Sequence, residues 1–388
     1  MTAMQKLYLV VPLAPLVGAI VRIGIPAEIK TGENRVAITP DGVRELTAHG
    51  HDVVIEAGAG DGSAIGDAEF TTAGARMVAV DEAWGAEMVV KVKEPQTADY
   101  RHLRAGQILF TYLHLAAYPE VGKALLASGC TAVAYETVEM ANGSLPLLAP
   151  MSEVAGRMAT QIGAHYLERT NGGRGVLMGG APGVRPARVV VIGAGNVGWN
   201  AAWIAAGMEA EVILLDKNID RLRFVDQIHK GRISTVTSNR GAVERAVAEA
   251  DLVIGAVLVT GAKAPKVVTS DMISAMKRGS VIVDIAIDQG GCIEGIRETT
   301  HKSPTYEVGG VIHYAVGNVP GAVPFSSTYA LTNATLPYVA ELAGYGIAKA
   351  VERDAALRHG VNIVNHQVTH PAVAEAMGAT YVEPLTLV

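Results

Sequence analysis

The chain has 388 residues, of which 49% are hydrophobic and 18% are charged, so it can bury the cores of two domains and is neither disordered nor a coiled coil. Its formal net charge of −6 gives no sign of the basic surface that nucleic-acid binding needs and argues against that function. Two cysteines, Cys130 and Cys292, are too few for a disulfide framework, which favours a reducing, cytoplasmic compartment.

The chain opens with an uncharged run over residues 7–21. Its shortness and its two prolines, Pro12 and Pro15, exclude a transmembrane helix. Two interpretations stay open: a signal peptide that ends near the small residues 17–19, or a poorly ordered leader over residues 1–20. We favour the leader, because the remaining motifs indicate intracellular cofactor chemistry.

From Arg22 onward, short β-branched runs alternate with helical patterns, which predicts an α/β fold with parallel sheets. Helices are expected in PDGVRELTAHG with Pro40 at the first position, from Ser152 as N-cap to about Thr170, and from Thr328 to about Lys349. Strands are predicted in VRIGIP, DVVIEA, EMVVKVK, QILFTYL and TAVAYE and, after a Gly-rich loop, in ARVVVIGAG, AEVILLD, RISTVTS, ADLVIGAV and GSVIVDIA. These two series predict two Rossmann-like domains, each a doubly wound parallel sheet.

The strongest single motif is VVVIGAGNVG, where Gly193, Gly195 and Gly198 lie between an apolar strand and a helix. Glycines at this spacing permit a tight turn, the close approach of a pyrophosphate and a helix–strand contact. Asp216 ends the next strand, where a carboxylate binds ribose hydroxyls and repels a 2′-phosphate. The motif therefore predicts an NAD site rather than an NADP site. The alternative for Asp216 alone is a helix N-cap before Asn218.

Four polar clusters interrupt apolar strands or follow their ends. They contain Arg35 close to Glu33, Lys93 in KVKEP, His114 in TYLHLAA and Asp288 in DIAIDQGG. Two cations can hold a small carboxylate, and a histidine and an aspartate can transfer protons beside a hydride acceptor. Each residue also has a plainer interpretation: a solvated ion pair, a surface lysine, a core histidine and a turn aspartate. The sequence has no metal-ligand spacing, nucleophile elbow or phosphate loop.

From about Val21 to the C-terminus, the chain closely resembles the alanine dehydrogenase family, which includes the alpha subunit of proton-translocating transhydrogenase. The matching motifs are GIPAEIKTGENRVAITPDGV, KVKEP, TYLHLAA, PLLAPMSEVAGRMA, GGRGVLMGG, VIGAGNVG, DLVIGAVLVTGAKAPK, VDIAIDQGGC and STYALTNATLPY. The resemblance implies a discontinuous substrate domain over residues 21–146 and 325–388, an NAD domain over residues 147–324, and a homohexamer. It also implies NAD-dependent conversion of L-alanine to pyruvate and ammonium, with these small molecules as the partners.

The same resemblance implies roles for individual residues. The implied substrate contacts are Arg35, Lys93, Met151 and Asn318, and the implied proton carriers are His114 and Asp288. The implied NAD contacts, besides the three glycines, are Ser152, Asn196, Val197, Asp216, Arg221, Ser238, Val257, Leu258, Ile285, Arg297, Val316 and Val319.

Two other activities stay open at this point: a transhydrogenase-like subunit that passes hydride to another protein, and oxidation of a bulkier amino acid by a saccharopine-type enzyme. The Asp that precedes QGG, where the transhydrogenase relatives have Glu, favours the dehydrogenase. Three positions depart from the usual family sequence: Val319 replaces Met, Phe325 replaces a basic residue, and Glu209 replaces Gly.

Overall fold

A computed structural model describes residues 20–257 and 264–387. These residues form two compact units: one contains the described residues up to 148 and those from 324 onward, and the other is Ala149–Val323. The first unit is therefore discontinuous in sequence, and the second is continuous. Leu258 and all of the expected leader except Ile20 lie outside the described residues.

Each unit is built around one sheet. In chain order, the strands are β1 (Arg22–Ile25), β2 (Asp52–Glu56), β3 (Arg76–Val78), β4 (Met88–Val90), β5 (Ile108–Thr111), β6 (Thr131–Ala134), β7 (Arg188–Ile192), β8 (Glu211–Asp216), β9 (Ile233–Thr237), β10 (Leu252–Gly255), β11 (Val281–Asp284), β12 (Thr305–Val308), β13 (Val311–Tyr314), β14 (Val361–Val364) and β15 (Gln367–Val368). The first sheet has the order β15-β14-β6-β5-β4-β1-β2-β3, and the second has the order β12-β13-β11-β10-β7-β8-β9. Counted from β3 and from β9, both follow the 3-2-1-4-5-6 order of a Rossmann fold, so the predicted fold class is confirmed.

Antiparallel strands are added at the edges of both sheets. In the first unit, β14 pairs antiparallel with β6 and with β15, and in the second β12 pairs antiparallel with β13. The β12–β13 connection contains Gly309 and Gly310, both with positive φ, as a tight two-residue hairpin requires. The central strands are parallel and buried on both faces, which explains their continuous β-branched sequences.

The helices, in chain order, are α1 (Pro40–Ala48), α2 (Asp67–Ala73), α3 (Val80–Trp84), α4 (Pro119–Ser128), α5 (Ala149–Leu167), α6 (Asn196–Gly207), α7 (Ile219–His229), α8 (Arg240–Glu249), α9 (Ser270–Ser274), α10 (Pro324–Arg353), α11 (Ala355–Gly360) and α12 (Pro371–Met377). Pro40 occupies the first position of α1, as predicted, behind the N-cap Thr39. No helix in the described part of the chain is long and apolar enough to cross a membrane.

Two predicted helices have different limits in the structure. Helix α5 begins three residues before Ser152, so the prediction that Ser152 is its N-cap is wrong, and Ser152 lies in the first turn. Helix α10 extends beyond the predicted span at both ends and contains Pro337. Its backbone is not helical at Gly346, where φ is +70°, so α10 consists of two helical segments joined by a kink.

Small residues bring α5 close to the centre of the second unit. A Cβ atom on Gly156 would overlap the backbone oxygen of Val197 at the start of α6, and one on Gly163 would overlap the Leu252 side chain on β10. The first contact packs α5 against the first turn of α6, directly after the Gly-rich turn, and the second packs α5 against the sheet.

Candidate active site

In the first unit, three of the predicted site residues lie at the carboxyl edge of the sheet. Arg35 lies in the connection that follows β1, Lys93 follows β4, and His114 follows β5. Strands β1 and β4 are neighbours at the point where the strand order reverses, which is where ligands bind in open α/β sheets. The topology therefore gathers three residues that are far apart in sequence.

Arg35 is buried in an ion pair with Glu33. Its Nε donates to Glu33 Oε1 at 2.7 Å, its Nη2 donates to Oε2, and its backbone N–H donates to Oε1 at 3.0 Å. Only 2% of Arg35 and 6% of Glu33 is exposed, so the pair is not the solvated one considered from the sequence. Burial opposes the charge on Glu33, but the hydrogen bonds from Arg35 outweigh it and lower the pKa of Glu33. The guanidinium is thus charged and held in a fixed orientation.

The Lys93 amine lies 6.0 Å from the centre of the Tyr112 ring. Burial, followed by the charge of Arg35, lowers the pKa of Lys93 below the ordinary lysine value. Two cations are thus close enough to interact, and an anion between them would relieve their repulsion.

A buried carboxylate fixes the backbone that carries Lys93. Glu28 Oε1 accepts hydrogen bonds from the N–H groups of Val92 at 2.6 Å and Lys93 at 3.3 Å. Its other oxygen lies 3.2 Å from the buried Lys91 amine, which also faces Asp99 at 3.9 Å. Burial raises the pKa of Glu28, and the charge of Lys91 opposes this effect.

A second carboxylate holds His114 in an unusual backbone conformation, with φ of +48°. Glu136 accepts the N–H groups of His114 at 2.6 Å and of Leu113 at 3.2 Å. His114 Nδ1 lies 3.8 Å from Glu136 Oε1, and the imidazole stacks on Tyr112 with ring centres 5.5 Å apart. About a third of the side chain, 34%, is exposed, unlike a core histidine. The geometry leaves the imidazole accessible while its position is fixed.

Sequence reasoning missed the residues that organise this edge: Glu28, Lys91, Tyr112 and Glu136. Three of them lie within or beside the motifs that carry Arg35, Lys93 and His114, but nothing in the motifs shows which charges pair. Tyr112 joins the cluster because its ring contacts both Lys93 and His114, while its hydroxyl donates to the backbone oxygen of Leu147 at 2.6 Å.

In the second unit, the Gly-rich turn has the geometry that its spacing predicts. Gly193 has φ of +104°, and a Cβ atom there would overlap the backbone oxygen of Ala256. A Cβ atom on Gly198 would overlap the backbone oxygen of Gly193. Next to Gly195 there is open space, and the nearest atom, Arg221 Nη1, is 3.9 Å from an added Cβ. A pyrophosphate fits such an opening, because the first N–H groups of α6 are directed toward it.

Asp216 closes the same turn from the end of β8. Its Oδ2 accepts the N–H of Ala194 at 2.6 Å, and its Oδ1 accepts the N–H of Asn218 at 2.7 Å. Arg221 Nη1 lies 3.9 Å from Oδ2. Asn218, and not Asp216, is the N-cap of α7, because its side chain accepts the N–H groups of Asp220 and Arg221. The alternative that Asp216 caps α7 is therefore wrong, and its carboxylate instead accepts backbone N–H groups of the Gly-rich turn and of Asn218.

Most of the other predicted residues of this unit follow the strand ends. Ser238 follows β9, Val257 follows β10, Ile285 and Asp288 follow β11, and Val316, Asn318 and Val319 follow β13. The last two loops are adjacent: a Cβ atom on Gly317 would lie 3.1 Å from Asp288 Oδ1.

Five further predicted residues lie on helices or away from strand ends. Asn196 and Val197 form the start of α6, and Met151 and Ser152 lie in the first turn of α5. Arg297 is exposed, and its guanidinium stacks on Tyr306 at 4.2 Å. Within the described ranges, no group of three or more His, Cys, Asp or Glu side chains is arranged to hold a metal ion.

The strand order, the glycine turn and the placement of Asp216 define a dinucleotide-binding protein of the Rossmann class. Residues 24–155 match the N-terminal domain model of the alanine dehydrogenase/PNT family, and residues 159–371 match its C-terminal domain model. The chain therefore belongs to the alanine dehydrogenase/PNT family.

Individual relatives agree with this assignment. An alanine dehydrogenase from Halomonas elongata is 56% identical over 95% of this chain and 100% of its own length. A solved L-alanine dehydrogenase structure superposes with a TM-score of 0.90 at 51% identity and covers 92% of this chain and 99% of the other. A transhydrogenase structure from Sinorhizobium meliloti superposes with a TM-score of 0.79 at 28% identity and covers 90% and 99% of the two chains.

Proposed function

We propose that the chain is an NAD-dependent L-alanine dehydrogenase, which reversibly converts L-alanine, NAD and water to pyruvate, ammonium, NADH and a proton. The observation that carries the proposal is the cluster of Arg35, Lys93 and His114 at the switch point of the first sheet. A small substrate with one carboxylate matches two neighbouring cations and one exposed imidazole. The high identity to alanine dehydrogenases over nearly the whole chain supports it.

In this mechanism, Arg35 and Lys93 bind the substrate carboxylate and orient the Cα–H bond. Orientation of this kind can account for a large part of an enzyme's rate enhancement. Loss of the Cα hydride leaves an imine, and either Asp288 or His114 removes the proton from the water that adds to it. His114 also hydrogen-bonds the carbonyl or hydroxyl oxygen that results and exchanges its proton there. Met151 and Asn318 flank the substrate. In this proposal, residues 21–146 and 325–388 form the domain that binds the substrate, and residues 147–324 form the domain that binds NAD.

The residues of the second unit fit NAD. The turn of Gly193, Gly195 and Gly198 leaves room for the pyrophosphate, and Asp216, which borders this turn, accepts hydrogen bonds from the ribose hydroxyls in this proposal. When bound, NAD supplies the hydride acceptor. The remaining proposed contacts are Ser152, Asn196, Val197, Arg221, Ser238, Val257, Leu258, Ile285, Arg297, Val316 and Val319.

We also propose that the enzyme is a cytoplasmic homohexamer. An exposed aromatic patch on α6 and α7 supports self-association: Trp203 is 43% exposed and stacks on Trp199, which contacts the half-exposed Phe224. Contiguous apolar surface of this kind is typical of interfaces. Light scattering of the purified chain measures the number of subunits, and a monomeric enzyme would contradict this part of the proposal.

A spectrophotometric panel of amino acids and 2-oxo acids, each with NAD and with NADP, tests the function. We expect NADH formation with L-alanine and NADH consumption with pyruvate and ammonium. Hydride transfer to a second nucleotide without any amino-acid oxidation would indicate a transhydrogenase-like subunit. Preference for a bulky amino acid would indicate the saccharopine-type activity.

The roles of His114 and Asp288 have their own test. We expect His114→Ala and Asp288→Asn each to lower kcat by at least about a hundredfold, the low end of general acid–base contributions, while NADH affinity stays near that of the wild type. If both act on one proton-transfer step, the double variant is little slower than either single variant. Near-normal turnover in either single variant would remove that residue from the mechanism.

A further inference from the structure

Asp284 is a buried carboxylate at the end of β11, directly before the loop that carries Ile285 and Asp288. It is 0% exposed, and within the described residues no ion pair to it is found. Burial raises the pKa of Asp284, and hydrogen bonds from backbone N–H groups oppose this effect. Burying a carboxylate costs free energy unless hydrogen bonds compensate for the water that it loses. The hydrogen-bond partners of Asp284 therefore indicate what it stabilises.

The two oxygens of Asp284 hold the two ends of this loop. Oδ1 accepts the N–H of Ala286 at 3.0 Å, at the start of the loop. Oδ2 accepts the N–H groups of Cys292 at 2.9 Å and Ile293 at 3.2 Å, where the loop ends. The Cys292 thiol adds a weak contact to Oδ1 at 3.6 Å. One carboxylate therefore closes residues 285–291 into a ring, and Asp288 lies within that ring.

Two glycines leave space for this carboxylate. A Cβ atom on Gly255, at the end of β10, would lie 2.9 Å from Asp284 Oδ1, and one on Gly291 would lie 2.7 Å from Oδ2. The carboxylate is thus enclosed from the neighbouring strand and from the loop itself, so it has little freedom to rotate.

From these contacts we infer that Asp284 is a positioning residue for the reaction: it closes the loop after β11 and thereby sets the place of Asp288. The inference rests on the proposed function, because the position of Asp288 affects the rate only if Asp288 transfers a proton in the reaction. A displacement of about 1 Å at a reacting group can lower a rate by about a hundredfold. An asparagine at this position keeps the size of the side chain but replaces one of the two oxygens by an NH₂ group. That group cannot accept the N–H of Ala286, or alternatively those of Cys292 and Ile293. One end of the loop is then released.

The test compares Asp284→Asn with Asp251→Asn in the full-length enzyme. Asp251 is the control, since it is also a buried aspartate that accepts a backbone N–H, from Arg188 at 2.9 Å, and it lies at the opposite, amino end of β10. Unlike Asp284 it also pairs with Arg174 and Lys277, so its substitution is expected to destabilise the protein at least as much. We expect kcat to fall at least about tenfold in Asp284→Asn and to stay within about twofold in Asp251→Asn, although both variants melt at lower temperature. Hydrogen exchange of residues 285–293 should accelerate only in Asp284→Asn.

A second pair of variants keeps Asp284 in place. Gly291→Ala and Gly295→Ala impose the same backbone strain, because φ is +72° and +71°. Only the first alanine meets neighbours: the Asp284 carboxylate at 2.7 Å and the end of the Ile296 side chain at 2.4 Å. We expect Gly291→Ala to lower kcat several-fold more than Gly295→Ala. If Asp284→Asn does not fold, this pair decides the matter.

Equal kcat in the Asp284→Asn variant and the wild type would overturn the inference while leaving the proposed function intact. Equal losses in Asp284→Asn and Asp251→Asn would also overturn it, because general destabilisation would then explain both. A wild-type chain that does not oxidise L-alanine would refute the proposed function itself, and with it the role of Asp284 in that reaction.

Discussion

At the scale of single residues, each predicted site residue of the first unit accepts support from one nearby carboxylate, which hydrogen-bonds its side chain or its backbone N–H. Glu33 orients the Arg35 guanidinium, Glu28 holds the backbone of Lys93, and Glu136 holds the backbone of His114. Buried ion pairs add little net stability, because removing both charges from water costs about as much as their attraction returns. Their contribution here is orientation, which a substrate-binding cluster requires before the substrate arrives.

The lowered pKa of Lys93 predicts a pH dependence of substrate binding. Its amine loses the proton at a lower pH than an ordinary lysine, and the neutral amine no longer attracts a carboxylate. The KM for pyruvate should therefore rise with pH in the range below about 10.4, the ordinary lysine value. Lys93→Arg stays protonated throughout, so the rise should disappear in that variant. An unchanged wild-type KM up to about pH 10 would contradict this prediction.

Coenzyme choice should depend on Asp216 and its neighbour Arg221. The wild type is expected to prefer NAD strongly, because the Asp216 carboxylate repels a 2′-phosphate. Asp216→Ala removes the repulsion and leaves Arg221, which lies 3.9 Å from the carboxylate, beside the ribose. The ratio of kcat/KM for NADP to that for NAD should rise by about tenfold or more, equivalent to about 1.4 kcal/mol. In Asp216→Ala/Arg221→Ala, the gain should be smaller. Equal use of both coenzymes by the wild type would refute the idea.

At the scale of secondary structure, the end of α6 departs from a favourable helix terminus. Glu209 follows the last turn with φ of +64°, a conformation that glycine adopts without cost and that costs other residues about 1–2 kcal/mol. The family usually has glycine there. The departure noted in the sequence is thus a backbone strain rather than a change at the predicted site.

Replacing Glu209 by glycine should therefore stabilise the protein. We expect Glu209→Gly to raise the free energy of unfolding by about 1 kcal/mol, because it removes the left-handed strain. Glu209→Ala is the matched control, since it removes the same side chain and retains the strain. Thermal unfolding of both variants measures the difference. A gain in Glu209→Ala equal to that in Glu209→Gly would assign the effect to the side chain.

At the scale of the whole molecule, the two units repeat one strand order and place their predicted residues in equivalent positions. The cation cluster follows β1, β4 and β5 of the first sheet, and the glycine turn follows β7 of the second. Loops at the carboxyl ends of parallel strands can vary without disturbing the buried sheet. The same architecture can therefore hold two different ligands.

Deletion of residues 1–20 should leave activity and subunit assembly unchanged. The first strand begins at Arg22, and the backbone oxygen of Val21 already accepts a hydrogen bond from the backbone N–H of Asp52 at 3.1 Å. Assays of alanine oxidation and light scattering on the truncated chain test this expectation. If the truncated chain does not fold or assemble, the leader has a structural role. Recovery outside the cell of a protein cleaved after Ala19 would instead support the signal-peptide interpretation.

Local patterns in the sequence were sufficient for the fold class, for β1, β2 and β4–β11, and for the glycine turn, but β3 and the strands β12–β15 were not predicted. Apolar runs and glycine spacing report on neighbouring residues, and Gly193 and Gly198 need no distant information to indicate a tight turn. Helix limits were less accurate, because α5 begins before Ser152 and α10 begins before Thr328.

Only the tertiary structure decided which charges pair and which side chains share a site. Glu28 and Lys91 are 63 residues apart in the sequence, and His114 and Glu136 are 22 residues apart. The members of each pair follow different strands and come together only in the folded sheet. Asp284 likewise accepts hydrogen bonds from Ala286 and from Cys292, at the two ends of one loop, and no pattern in the sequence indicates that both belong to the same carboxylate. Long-range electrostatic partners depend on strand order and burial, which no local pattern contains, whereas the periodicity of strands and helices is a local property.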